Sequence, residues 1–310
     1  MKRKILILGG YGFMGKNLNN IFSIDNNYII YNESRRTGCD ITNYNDLKNK
    51  LVNINPNIII NAAAHVGSIS YVSKYAANVC HDNSLMYLNI FKAINEYNPN
   101  IVLINPISNC SYPGVIDIQN EELWWDGVIH DSVESYGNPK KLGFILSECY
   151  RKQYGIKTVN LILPNAYGPF DYTDELRTHA MNGIILRMLR AIKKLDKVFT
   201  IWGSGNPIRE WIYMEDAAKL IKQIVDKNMF SLPNPLNIAQ KFGVSINESV
   251  DTIRNLLNSK IDLYQDLSKP DGANVKILGD KLFRIHFPDF QFTDYKNGIK
   301  NTIEYYKNKI

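Results

Sequence analysis

Long apolar runs are missing from this 310-residue chain. The first candidate, Ile5 to Leu8, is closed after four residues by Gly9-Gly10. That is too short for a secretory apolar region of roughly 7 to 15 residues, even behind the basic Met1-Lys2-Arg3-Lys4, and no stretch approaches the ~18 residues of a membrane span. Cysteine is scarce, and Cys39, Cys80, Cys110 and Cys149 form neither a C-x-x-C pair nor a metal-ligand spacing. This argues against a disulfide framework or structural zinc and for a reduced, cytoplasmic protein. Neither sign of charge dominates: 36 Lys+Arg against 30 Asp+Glu leave +6, without a basic stripe. Nucleic acid and membrane are therefore not expected partners, and an anionic small molecule suits the chain better. Gly and Pro are too few for a collagen-like chain, no 20 to 50-residue period repeats, and 45% hydrophobic residues exclude disorder.

What is present is an alternation. Ile5-Leu8, Tyr28-Tyr31, Ile58-Ile60, Ile101-Ile104 and Val159-Leu163 read as strands buried on both faces, because they lack polar alternation. Between them Gly15-Phe22, Tyr44-Leu51, Asn78-Tyr97 and Pro139-Tyr154 carry amphipathic helical patterns. The order predicts an α/β protein, a Rossmann-type doubly wound parallel sheet with a smaller C-terminal α/β substrate lobe. Residues 1-164 make the sheet domain, and 216-240 (a helix near Asp216-Lys227 and a strand at Leu236-Ile238) return to it. Residues 165-215, with a helix around His179-Lys194 and a strand near Phe199-Ile201, and residues 241-310 form the lobe.

Gly9-Gly10-Tyr11-Gly12-Phe13-Met14-Gly15 follows the first strand and opens a helix. The spacing permits a tight turn, close approach of a pyrophosphate to bare backbone, and a helix N-terminus facing the anion, which points to a dinucleotide. Glu33, at the end of the second strand, is the signal for NAD, since a carboxylate there accepts from a ribose 2'-hydroxyl. Ser34-Arg35-Arg36 competes with it as a 2'-phosphate clamp and favours NADP(H). Asp40 and Ile41 are placed to bracket the adenine.

Tyr136 and Lys140 stand four residues apart, on one face of a helix that Pro139 predicts to begin at about Tyr136 to Asn138. An ammonium beside a phenol stabilises the phenolate, which makes tyrosine a usable proton shuttle. Ser108, 28 residues earlier and at the end of a strand, can hydrogen-bond a carbonyl oxygen and aim it at the phenol.

The glycine turn, Ser108, Tyr136 and Lys140, in this order, resemble the extended short-chain dehydrogenase/reductase superfamily. Asn61-Ala62-Ala63-Ala64-His65-Val66-Gly67, Ser108-Asn109-Cys110-Ser111-Tyr112-Pro113, Pro164-Asn165-Ala166-Tyr167-Gly168-Pro169, Trp202 to Glu210, and Lys269-Pro270-Asp271-Gly272 followed by Lys276 narrow the resemblance to the GDP-L-fucose synthase family. That resemblance implies a nucleotide-linked, GDP-favoured 4-keto-6-deoxy sugar, epimerised at C3 and C5 and then reduced at C4 with NADPH.

By the same resemblance the catalytic serine, tyrosine and lysine are Ser108, Tyr136 and Lys140, the epimerisation pair is Cys110 and His179, and Arg36 meets the 2'-phosphate. Ala62, Ala63, Ala64, Pro164, Asn165 and Tyr167 join the cofactor site; Asn165, His179, Arg187, Trp202, Arg209 and Lys276 join the substrate site. A homodimer through a four-helix bundle, built from the helices at Asn78-Tyr97 and Pro139-Tyr154, is implied as well.

The chain departs from the family pattern at His65, Ser68, Asn105-Pro106-Ile107, Asn109, Ala166 and Trp124-Trp125-Asp126-Gly127. These positions cluster about the expected sugar pocket. They keep open a second reading, a C4 reductase without epimerase activity on a related GDP-4-keto hexose or heptose.

Overall fold

A computed structural model describes residues 2-269 and 271-310, so Pro270 of the Lys269 to Gly272 motif and Met1 lie outside the described residues. Along the chain run β1 (Arg3–Leu8), α1 (Phe13–Phe22), β2 (Tyr28–Glu33), α2 (Tyr44–Ile54), β3 (Ile58–Asn61), α3 (Ile69–Lys74), α4 (Ala76–Tyr97) and β4 (Val102–Ser108). Then follow β5 (Ile118–Gln119), α5 (Glu134–Tyr154), β6 (Thr158–Leu163), β7 (Asn165–Tyr167), α6 (Ala180–Lys193), β8 (Val198–Trp202), β9 (Ile208–Tyr213), α7 (Met214–Asp226) and β10 (Leu236–Asn237). The chain closes with β11 (Gly243–Ser245), α8 (Ile246–Leu256), β12 (Asp262–Asp266), β13 (Val275–Leu278), α9 (Lys281–His286) and α10 (Tyr295–Lys307).

The main sheet is six-stranded and parallel, in the order β10-β6-β4-β3-β1-β2. The order reverses direction beside β1, so the crevice above the strand ends is where a doubly wound sheet binds its ligand. The alternation of side chains decides what each face buries. Ile5, Ile7, Ile60 and Ile104 pack toward α1 and α7, while Leu6, Leu8, Ile59 and Leu103 pack toward α2 and α4. This two-sided burial is the reason the strands read as continuous apolar runs.

The segment after β9 returns to the main sheet, with β10 pairing beside β6. A second sheet, β11-β9-β13-β5 with β7 also on β9, covers the crevice, and β8 pairs with β12 in a small parallel ribbon. Ile118–Gln119 pair with Ile277 and Leu278, so a part of the first 164 residues belongs to this second sheet. Such a two-residue strand carries too little pattern to be seen in the sequence.

One polar row crosses the buried main sheet. Asn61, Asn105 and Asn160 occupy matching register positions on β3, β4 and β6. Asn61 donates to Asn105 Oδ1 at 3.5 Å, Asn105 to Asn160 Oδ1 at 2.7 Å, and Asn160 to Ser147 Oγ at 2.8 Å and Asn234 Oδ1 at 2.9 Å. Among the described residues no helix is long and apolar enough to cross a membrane.

Candidate active site

The glycine turn is set by sterics. Gly9 has φ of +77°, and a Cβ there would stand 2.7 Å from the Ala63 Cα; a Cβ at Gly15 would stand 2.3 Å from the Gly9 carbonyl oxygen. Only glycine lets β1, the turn, α1 and the Ala62-Ala64 backbone come together so closely. Gly12 is the N-cap of α1 and offers no side-chain cap, which leaves the first N–H groups of the helix free for an anion. At the end of β2 the competing acid is engaged: Lys50 holds the Glu33 carboxylate at 2.9 Å and the Thr37 hydroxyl donates to it. Ser34 caps a short 3₁₀ turn through the Arg36 N–H at 3.2 Å, and Arg35 and Arg36 stay exposed. Asp40 is partly occupied, its Oδ1 accepting from Thr42 Oγ1 at 2.8 Å, and Ile41 is buried beneath it. The donor set at this strand end fits a 2'-phosphate better than a free 2'-hydroxyl.

A cavity of about 420 Å³ lies between the main sheet and the lobe. Gly12, Phe13, Met14, Ala62-Ala64, Pro164 and Asn165 line its cofactor side. Ser108, Cys110, Tyr136, Lys140 and His179 line its middle, and Arg187, Trp202, Arg209 and Lys276 its lobe side. Gly9, Gly10, Tyr11, Gly15, Arg35, Arg36, Asp40 and Ile41 lie outside this enclosed space, along the turn and the ends of the neighbouring strands. Tyr167 does not line the cavity: its side chain is 1% exposed and packs against Tyr213 and Tyr295 in the core of the lobe. Gly298 on α10 leaves room for the ring, since a Cβ there would collide with the Tyr167 hydroxyl.

Helix α5 begins at Glu134, ahead of the expected start, so Pro139 lies inside it. Proline there forgoes only one intrahelical bond near the helix start, and the four-residue spacing of Tyr136 and Lys140 survives. Gly137 brings this helix against the loop after β4, since a Cβ there would meet the Cys110 carbonyl oxygen at 2.5 Å. The Lys140 ammonium lies 5.3 Å from the Tyr136 ring centroid and donates to the Tyr87 hydroxyl at 3.0 Å. Burial pushes the Tyr136 phenol up, and the Lys140 charge pulls it down against that trend.

Ser108 ends β4 and its Oγ accepts from the Cys110 N–H at 3.2 Å. Lys276, on β13, donates to Cys110 Sγ at 3.8 Å. Opposite, His179 caps α6, and its Nδ1 lies 3.1 Å from each Asp171 carboxylate oxygen while its backbone N–H donates to Oδ2 at 2.8 Å. Asn182 and Thr178 also donate to this fully buried carboxylate. Burial alone would lower His179, but the attraction and hydrogen bonds of Asp171 outweigh it and raise the imidazole. Burial likewise opposes the Asp171 anion, and the same partners hold its carboxyl below the usual range.

On the lobe, the Arg187 guanidinium stacks 4.2 Å from the Trp202 ring centroid and donates to the Thr200 carbonyl at 2.8 Å. Arg209 donates to the carbonyls of Ile208, Asn274 and Asp271, and the Asn165 amide donates to the Glu210 carbonyl at 3.1 Å. Burial lowers both arginines, since taking a guanidinium out of water disfavours its charge.

The pattern of the NAD dependent epimerase/dehydratase family matches residues 5-239, about three quarters of the chain. The chain belongs to that family. It is 26% identical over 307 residues to a GDP-L-fucose synthase of Dictyostelium discoideum, covering 98% of this chain and 95% of that one. In fold it is similar to a GDP-L-fucose synthetase from Naegleria fowleri bound to NADP, with a TM-score of 0.87 at 24% identity over 100% of this chain and 95% of that one. It is similar too to a GDP-6-OMe-4-keto-L-xylo-heptose reductase from C. jejuni, with a TM-score of 0.89 at 20% identity over 100% and 99%.

Two side chains of this candidate site carry no clear signal in the sequence. Tyr87 comes from the middle of α4, where nothing distinguishes it from a core aromatic. Asp171 had a weak signal, a lone acid in the Pro/Gly loop eight residues before His179.

Proposed function

We propose that this protein uses NADPH to reduce the C4 ketone of a GDP-linked 4-keto-6-deoxy sugar after epimerising C3 and C5. The observation that carries the reading is that Ser108, Tyr136 and Lys140 share one cavity with Cys110 and His179. Bound NADPH would supply the hydride. The glycine turn and the free N-terminus of α1 would hold its pyrophosphate, and Arg35 and Arg36 its 2'-phosphate. Ser108 would hydrogen-bond the C4 oxygen, Tyr136 would give it a proton, and Lys140 would favour the resulting phenolate. Protons at C3 and C5 are acidic because each carbon adjoins the C4 ketone. Cys110, with the Lys276 cation beside it, suits the base; His179, raised by Asp171, suits the acid that returns a proton. Arg187, Trp202, Arg209 and Lys276 would take the nucleotide diphosphate.

In this reading, 1-164 with 216-240 serve the cofactor, and 165-215 with 241-310 enclose the sugar nucleotide. The free cysteines suit a reducing, cytoplasmic setting. Two copies would pair through α4 and α5, whose outward faces expose Leu88 and Ile145, as a four-helix bundle; light scattering tests this. The Dictyostelium relative's name supports the fucose-type reaction, and polysaccharide assembly would be its destination. The second reading, C4 reduction without epimerisation, is favoured by the departures at His65, Ser68 and Asn109 around the sugar pocket.

A screen of GDP-linked 4-keto sugars with NADPH, with product configuration read by NMR, tests the proposal. Deuterium entering C3 and C5 from solvent without NADPH supports the bifunctional reading. Turnover without exchange replaces it by the second, and no turnover of any such sugar overturns both.

A further inference from the structure

We infer that Tyr87 is a positioning residue that fixes the Lys140 ammonium beside Tyr136 and thereby sets the pH range in which Tyr136 holds its proton. The inference rests on the C4 reduction proposed above. It starts from Lys140, which is 4% exposed and forms no salt bridge among the described residues. A buried ammonium needs acceptors to replace water, and a mobile one gives a neighbouring phenol no constant field. The hydroxyl of Tyr87 supplies an acceptor at 3.0 Å, and the ammonium sits 5.4 Å from the Tyr87 ring centroid and 5.3 Å from that of Tyr136. It is held between two phenols.

The two phenols are not equivalent. Tyr87 is 2% exposed, deep in the α2 and α4 side of the core, whereas Tyr136 lines the cavity. Only Tyr136 can meet a substrate. Burial drives the Tyr87 phenol far above its ordinary range, so it stays neutral and accepts from Lys140 without drawing off its charge. The backbone is shaped for this contact. At Gly143, one turn beyond Lys140, a Cβ would stand 2.6 Å from Tyr87 Cε1 and 2.8 Å from Cδ1. The ring therefore occupies space that any side chain at position 143 would fill.

The titratable groups facing Tyr136 are Lys140 on its own helix, Tyr87 from α4 and Cys110 from the loop after β4. Cys110 in turn faces Lys276 and Arg209. Apart from Tyr136 itself, which also attracts the ammonium, only Tyr87 among these groups takes a hydrogen bond from Lys140 Nζ. Loss of the Tyr87 hydroxyl should therefore loosen the ammonium and weaken its pull on Tyr136.

The test compares wild type with Tyr87→Phe, which keeps the ring against Gly143, and Gly143→Ala, which displaces the ring and keeps its hydroxyl. Folding is checked by thermal unfolding and NADPH binding. The expected result for Tyr87→Phe is a kcat for C4 reduction lowered roughly tenfold or more and an alkaline limb moved up by about one pH unit. Gly143→Ala should move the limb in the same direction. An NMR titration of isotope-labelled tyrosine, with the Tyr136 signal assigned from Tyr136→Phe, should give the same shift without any substrate. An unmoved limb and an unmoved Tyr136 titration in folded Tyr87→Phe would overturn the inference, whatever happens to kcat. If wild type reduces no nucleotide-linked 4-keto sugar, the proposed function fails, and the NMR titration still decides the role of Tyr87.

Discussion

Lys276 Nζ donates to Cys110 Sγ across 3.8 Å, joining β13 of the second sheet to the loop that follows β4 and Ser108. A residue read from the sequence only as a nucleotide contact thus also places a cation beside the candidate base. Both side chains line the cavity.

Lys276→Met should separate the two half-reactions. Solvent deuterium exchange at C3 and C5 is expected to fall about tenfold or more, because the Cys110 sulfur loses its neighbouring cation. Reduction at C4 of an already epimerised sugar should keep its kcat while KM rises from the lost charge. Equal losses in exchange and reduction would refute the division.

The pairing of Asp171 with His179 predicts a pH effect. Asp171 raises the imidazole, so the imidazolium acid persists to higher pH than an ordinary histidine allows. Asp171→Asn removes that attraction, and the alkaline limb of the exchange rate should move to lower pH. The measurement is exchange by NMR across the neutral range. A limb that stays or moves upward would exclude His179 as the acid.

Arg36→Ala tests the cofactor. With Glu33 tied to Lys50 and Thr37, no other group at the end of β2 is free to discriminate, apart from Arg35. One charge-assisted contact is worth about 1.5 to 3 kcal/mol, so Kd for NADPH should rise roughly tenfold to a hundredfold. Binding of NADH should change little, and a parallel loss for both cofactors would remove the 2'-phosphate role.

Glu210 provides a stability test away from the chemistry. It is fully buried, accepts from the N–H of Gln240 at 2.6 Å and of Leu278 at 2.7 Å, and is pushed up to about 7 by burial. A folded-state value raised above the unfolded one means that its stabilising proton is fully held below the ordinary carboxylate range and lost as pH rises through about 7. Thermal unfolding should show Tm falling across that window, with a shallower fall in Glu210→Gln. In Glu210→Ala the orphaned N–H groups should cost about 1 to 3 kcal/mol each.

The sequence revealed what depends on local pattern. The five sheet strands from Ile5 to Leu163, the helices between them and the Tyr136-Lys140 spacing follow from apolar periodicity and from one proline. The glycine turn was readable because a positive φ and a close approach demand residues that stand out in any sequence. Partners that meet only after folding were not readable. Tyr87 is a core tyrosine until Gly143 lets it reach Lys140, and Asp171 is a loop acid until α6 brings His179 to it. The start of α5 at Glu134 shows the limit of the proline rule, since a helix can accept proline shortly after its first turn. Tyr167 packs into the lobe where Gly298 leaves room for its ring, a meeting that the motif around it does not show.

The asparagine row across β3, β4 and β6 has a consequence for alignment. Ser108 stands three residues beyond Asn105, and its register partner Leu163 three beyond Asn160. A parallel strand of plain Ile and Leu could slide by two residues and still bury the same kind of side chain. Amides that must find one another cannot. The row therefore acts as a datum line from which the serine, the Ala62-Ala64 backbone and the Asn165 turn are all levelled, so that they arrive at one height around the cavity.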